Sequence, residues 1–198
     1  MTDGQEQIRK MMHEWRKQIA RDPNDVSAIF ALANAHVSLE EFVPALRNYE
    51  KVTLSATQDT NIRWAAFLNV GELRGKLGYY PTSESLDAFN AAFHLKPYRV
   101  EPLYQAAKLC REKQSYPMAF VYATAAVAIP VPENETFMID IDTYTWKVPL
   151  EFAWAAAHMG FKEMTRDAMH EFLESNAPTS VKDEALNVIK KVFIDERS

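Results

Sequence analysis

Apolar residues mark the chain at helical intervals from end to end. In "QEQIRKMMHEWRKQIARDP", Ile8, Met12, Trp15 and Ile19 are spaced by four, three and four, so one face is apolar and the other charged. In "SVKDEALNVIKKVFIDERS", Val181, Ala185, Val188, Ile189 and Val192 do the same. These stripes predict single amphipathic helices over residues 1–22 and 178–196. Between them one spacing recurs. Ile29-x2-Leu32-Ala33-x2-His36 is followed by Ala45-x3-Tyr49, and Trp64-x2-Phe67-Leu68-x2-Gly71 by Ser85-x3-Phe89. Leu103-x2-Ala106-Ala107-x2-Cys110 precedes Tyr116 and Ala119-x3-Ala123, and a degraded copy has Val148 and Phe152, then Phe161, Met164 and Ala168.

This is the W-x2-L-G-x2-Y…A-x3-F skeleton of the 34-residue tetratricopeptide repeat, with apolar or small substitutes at several positions. The chain resembles that family, which implies an all-α solenoid. Ala33, Ala45, Ala107 and Ala119 stand where helices approach closely, while Ile29, Leu32, Tyr49, Phe89 and Leu103 fill the space between them. One hairpin cannot bury its apolar face alone, so hairpins stack and amphipathic end helices close the core.

The expected organisation is a single repeat domain over 1–198. It has repeats at 23–57, 58–96, 97–130 and 143–175, a loop at 131–142 and a capping helix at each end. Around "GYYPT" the second repeat carries extra residues, expected to separate its two helices. Pro44, Pro102 and Pro117 fall where helices begin, positions at which a missing N–H costs little. Pro149 must also lie in a first turn, so Tyr144 to Val148 is expected to be turn or frayed helix.

Composition narrows the function. At 47% hydrophobic and 25% charged residues the chain is an ordinary globular one. Its formal net charge of -5 disfavours nucleic acid, which needs a contiguous basic surface. There are five glycines and no Gly-rich phosphate loop. The N-terminal stretch lacks the apolar core of a signal peptide, no membrane-span-length apolar run occurs, and Cys110 is the lone cysteine. A cytoplasmic protein is expected.

A second resemblance is more specific. Residues 97–173 carry Pro97, Arg99, Glu101, Pro102, Leu103 and Tyr104, then Ile129, Pro130 and Pro132, then Asp140, Asp142, Tyr144, Trp146 and Lys147. This string is similar to the tetratricopeptide-like tail attached to bacterial and viral family 2 glycosyltransferases. The alternating strand and helix signals of a nucleotide-sugar-binding sheet are missing. The resemblance therefore implies kinship with an accessory region, not with the catalytic half.

Candidate chemistry is sparse. Asp140-Ile141-Asp142 spells the D-x-D of sugar-transferring enzymes, but it lies in an irregular connection, not at the end of a buried strand. Its expected work is loop hydrogen bonding and capping of the next helix. Tyr144, Trp146 and Lys147 could form a glycan- or peptide-stacking spot, or cover the core. His13-Glu14 and His170-Glu171 begin like H-E-x-x-H, with Lys17 and Glu174 in place of the second histidine, so no zinc site is expected. Cys110 and His36 occupy packing positions.

The first helices of the repeats should line a groove with Phe30, Asn34, Val37, Asn69, Tyr104, Lys108 and Arg111. Related repeat proteins grip acidic chaperone tails with a lysine and asparagine clamp. Asn34 matches part of it, but Phe30 and Glu101 stand where lysines belong. Lys108 and Arg111, one helical turn apart, could meet a carboxylate or phosphate. The expected function is a non-enzymatic, cofactor-free scaffold holding a protein or peptide segment in that groove. Two other readings are an accessory subunit or detached tail of a glycosyltransferase system, with glycan contact, and a self-assembling homo-oligomer.

Overall fold

A computed structural model describes the backbone of residues 3–195 and the side chains as far as residue 190. Val192, assigned to the last apolar stripe, has its side chain outside the described residues. Among the described residues there are ten α-helices and one π-helical turn, and no strand. The contacts divide the chain at Lys96 and Pro97 into two compact units.

In the first unit, α1 (Asp3–Arg21) precedes two hairpins, α2 (Val26–Ser38) with α3 (Phe42–Leu54) and α4 (Thr60–Leu77) with α5 (Thr82–Leu95). Asp25 and Asp59 cap α2 and α4, their carboxylates accepting from the N–H groups of Ala28 and Ile62. Met12 of α1 is buried against Leu32 and Ala35 of α2, and Ile8, Trp15 and Ile19 pack around it. The apolar stripe of α1 is thus the seal on an open hairpin face.

The residues before "GYYPT" do not form a longer loop between α4 and α5. The connection is only Gly78 to Pro81, and α4 is 18 residues long against 13 for α2. Good helix formers in "ELRGKL" continue α4 until Gly78 stops it in the left-handed region at φ 74°.

Inside this hairpin Gly71 is a contact, not a hinge. A Cβ built there would overlap the ring of Phe89, which is itself buried. Gly71→Ala should therefore destabilise the protein by about 1–3 kcal/mol through overpacking, despite the ~1 kcal/mol that alanine gains in a helix. Urea denaturation checks this. In a Phe89→Leu background the same change should turn neutral or stabilising, because only the helix preference is left.

In the second unit, α6 (Glu101–Glu112) pairs with α7 (Tyr116–Val127) and α8 (Val148–His158) with α9 (Lys162–Glu174), followed by α10 (Thr179–Asp195). Pro102 and Pro117 lie in the first turns of α6 and α7. The core around α8 and α9 is built from Leu150, Ala153, Ala157, Phe172, Ala185 and Ile189.

Before α8 the helix does not fray. Residues 141–142 are already helical, and Thr143–Lys147 forms a π-turn that runs into α8. The Val148 N–H donates to the Thr143 carbonyl, five residues back. A proline at 149 removes one N–H and crowds the carbonyl four residues earlier, and the wider π-turn relieves that crowding without ending the helix.

Candidate functional site

The motif string of the second unit folds into one polar lock. Arg99 is fully buried, and its guanidinium meets both carboxylate oxygens of Glu101, with Nε–Oε2 at 2.9 Å. The same group donates to the carbonyls of Phe137 (2.8 Å) and Met138 (3.1 Å). Glu135 lies 3.6 Å away. Tyr144 closes the circle: its hydroxyl donates to Glu101 and accepts from the Val100 N–H. Burial, with the Glu101 charge beside it, pushes the Tyr144 phenol up to about 12. Met138 takes a left-handed backbone conformation at φ 50° on the stretch of loop thus held.

Asp140 belongs to this loop lock. Its carboxylate accepts from Lys147 Nζ at 2.5 Å and from the Thr143 hydroxyl at 2.9 Å. Burial would raise its pKa, but Lys147 and Thr143 outweigh that and hold it below the usual carboxylate range. Asp142 directly precedes the π-turn and makes no capping side-chain bond. Trp146 is half-buried against the α8–α9 core, with the Lys147 ammonium 5.5 Å from its ring. Among the described residues, no three His, Cys, Asp or Glu side chains form a metal-ligand set.

A second arrangement lies on α6 and α8. Tyr104, Lys108 and Arg111 recur at helical spacing on α6, and Glu151, Trp154 and His158 on α8. Arg111 forms a two-pronged pair with Glu151, Nε–Oε2 and Nη2–Oε1 both 2.8 Å, and its guanidinium carbon is 4.4 Å from the Trp154 ring centroid. Glu151 is only 4% exposed, and burial raises its pKa even though Arg111 pulls the other way. Tyr104 is half-buried, its phenol raised by burial and by the Glu151 charge. Lys108 has no ion-pair partner among the described residues. His158 stacks on Tyr116 with centroids 3.9 Å apart, and burial and Arg111 lower its pKa. Pairing and stacking therefore fix Arg111 before any ligand arrives.

In the first unit, Phe30 is buried edge-to-face against Tyr49 with centroids 5.6 Å apart, so Asn34 is the exposed member of that pair. The Tyr49 hydroxyl donates to Asn34 Oδ1 at 2.5 Å. The Asn69 amide donates back to the Ala65 carbonyl on its own helix. His36 is buried and bonded through Nδ1 to Glu41 at 2.6 Å. Cys110 is buried, which pushes its thiol up to about 11. That is the state of an inert core thiol.

Glu151 and Trp154 were not among the residues singled out from the sequence. They lie on the degraded fourth repeat, whose weak spacing hid which face of α8 turns toward α6. The one signal was a lone acidic residue in the apolar run "VPLEFAWAAAH".

The helix order and hairpin pairing define an all-α fold of the tetratricopeptide-repeat class. Among solved structures, the chain is similar to that of YrrB, described as a TPR protein with an unusual peptide-binding site. The TM-score is 0.65 at 17% identity, over 92% of this chain and 84% of that one. It is also similar to MamA (TM-score 0.61, 14% identity, 91% and 87% covered). A third likeness is to TTC0263, a thermophilic TPR protein of Thermus thermophilus (TM-score 0.60, 13% identity, 90% and 88% covered). No protein-family model and no curated protein sequence matches the chain.

Proposed function

We propose that the protein is a non-enzymatic interaction scaffold whose α6–α8 face holds a segment of a partner protein. The observation that carries this reading is the preorganised set Arg111, Glu151 and Trp154, held by pairing and stacking, with half-buried Tyr104 on the same face of α6 as Arg111. A surface already ordered loses little side-chain entropy on binding. The likeness to YrrB, itself described as peptide-binding, supports the same role. Lys108 is the cation available to a ligand carboxylate beside Arg111, which Glu151 already neutralises. Phe30, Asn34 and Asn69 would form a separate contact surface in the first unit, where Asn34 is held by Tyr49.

Affinity capture with the tagged chain, followed by titration of the recovered partner, tests the proposal. Lys108→Glu should weaken that partner about tenfold, ~1.4 kcal/mol, by placing a like charge opposite its carboxylate. Unchanged affinity would remove the α6–α8 face from the interaction.

A second reading is an accessory or detached tail of a glycosyltransferase system, supported by the motif string of residues 97–173. Its strongest residues, Arg99, Glu101, Tyr144 and Asp140, are engaged in the loop lock. A transferase encoded beside this chain would favour that reading over glycan contact by Tyr144 and Trp146.

A further inference from the structure

Between α9 and α10 lies a groove of about 620 Å³ that is separate from the α6–α8 face. Its origin is the seating of α10. In earlier hairpins the next helix packs closely along the second helix of the hairpin before it, α4 on α3 and α8 on α7. By contrast, α10 leans on α8, and less tightly. Through Ala185 and Ile189 it shares a core cluster with Ala168 and Phe172 of α9, while its backbone approaches α8 more than α9. Met169 and Leu173 of α9 and Leu186 and Ile189 of α10 floor the resulting opening.

Among the described residues, the ionisable side chains lining this groove are Lys162, Arg166 and His170, at successive helical turns along α9. They form a basic stripe on a chain whose formal net charge is -5. Two of them are paired with acids, Arg166 with Asp167 at 3.3 Å and His170 with Glu174 at 3.6 Å, and α9 also carries Glu163 and Glu171. Both pairs are solvent-exposed and compete little with an incoming ligand. From Lys162 to Leu173 the groove runs about 16 Å, enough for roughly three turns of helix.

We infer that the α9–α10 groove is a docking site for a short amphipathic helix of another protein, apolar on one face and flanked by acidic residues. The chain itself shows what kind of element seals such a face, since α1 covers α2 with an apolar stripe at helical spacing. The α1 helix of a second copy is not the occupant. Its stripe is already packed on α2, and Arg9, Lys10, Arg16, Lys17 and Arg21 outnumber its acids Asp3, Glu6 and Glu14. Such a basic helix would meet a basic rim. An acidic helix would find both its faces matched, the apolar one by the floor and the charged flank by Lys162 and Arg166.

The test uses the full chain and two fluorescein-labelled peptides of roughly 14 residues, about four helical turns. Both carry leucine at i, i+3, i+4 and i+7; one has glutamate at the flanking positions, the other lysine. By fluorescence anisotropy at low salt the glutamate peptide should bind about tenfold tighter than the lysine peptide, with the gap narrowing as salt rises. Lys162→Glu with Arg166→Glu should reverse the order, and Leu186→Arg should abolish binding of both. The two charge reversals lie on exposed positions, and circular dichroism confirms that the variant is folded. Arg47→Glu with Lys51→Glu, exposed charge reversals of the same size on α3, should leave the peptide preference unchanged. Equal affinity for the two peptides, or binding by neither, overturns the inference. A self-associated chain that becomes monomeric with Leu186→Arg in light scattering also overturns it, by making a second copy the occupant.

Discussion

Replacing Arg99 with methionine should lower the unfolding free energy by about 3–5 kcal/mol, the range for breaking a buried ion pair from one side. Arg99 has no solvent exposure, and Glu101 beside it is 6% exposed. Without the guanidinium, the Glu101 carboxylate keeps the Tyr144 hydroxyl but loses its counter-charge. The carbonyls of Phe137 and Met138 lose their donors at the same time. Urea denaturation gives the magnitude, and two further variants give the cause. Arg99→Lys keeps the charge but not the fork that reaches carboxylate and carbonyls together, so it should recover only part of the loss. Arg99→Met with Glu101→Leu removes the stranded charge and should be less damaging than Arg99→Met alone. A double variant as unstable as the single would show that the loop carbonyls, not the ion pair, carry the effect.

The second large effect belongs to Arg111, and its signature is pH dependence. In Arg111→Met, Glu151 stays buried but loses both hydrogen bonds and its cation. Burial already raises its pKa, and removing the one strong opposing influence raises it further. A carboxyl whose folded pKa lies above its unfolded value of about 4.5 binds its proton more tightly in the fold. Stability is therefore retained at and below that unfolded value and is lost as pH rises through the folded pKa. The variant should cost about 1 kcal/mol or less near pH 4.5 and about 2–4 kcal/mol at pH 8. Thermal melts across that range measure it. Glu151→Gln added to Arg111→Met should flatten the pH profile. A pH-independent loss would place the damage in the lost stacking of Arg111 on Trp154 instead.

Much of the architecture was legible because close helix packing repeats its demands. Ala33, Ala45, Ala107 and Ala119 stood at the spacing that antiparallel helices require, and all four are buried. The extra turn of α4 was less legible, since "ELRGKL" reads as readily as loop approach or as helix until the Gly78 stop is placed. Pro149 marked an irregularity correctly, but it did not say whether the chain would fray or widen into a π-turn. That choice is made by local crowding. The roles of Arg99 and Arg111 depended on partners far along the chain. Glu151 is 40 positions from Arg111 and sits on the weakest repeat. The α9–α10 groove depends on where one helix settles, which a periodic pattern does not encode.

The π-turn at Thr143–Lys147 acts as a phase shifter. Tyr144 and Glu151 are seven residues apart, a spacing that in an uninterrupted α-helix puts two side chains on one stripe. The wider turn between them rotates everything after it by an angle on the order of 100°, one residue's worth of helix. Tyr144, inside the turn, meets Glu101 at the start of α6, and Glu151, beyond it, meets Arg111 near the end of α6. One continuous helical rod thus couples the fixing of a loop to the aiming of a surface.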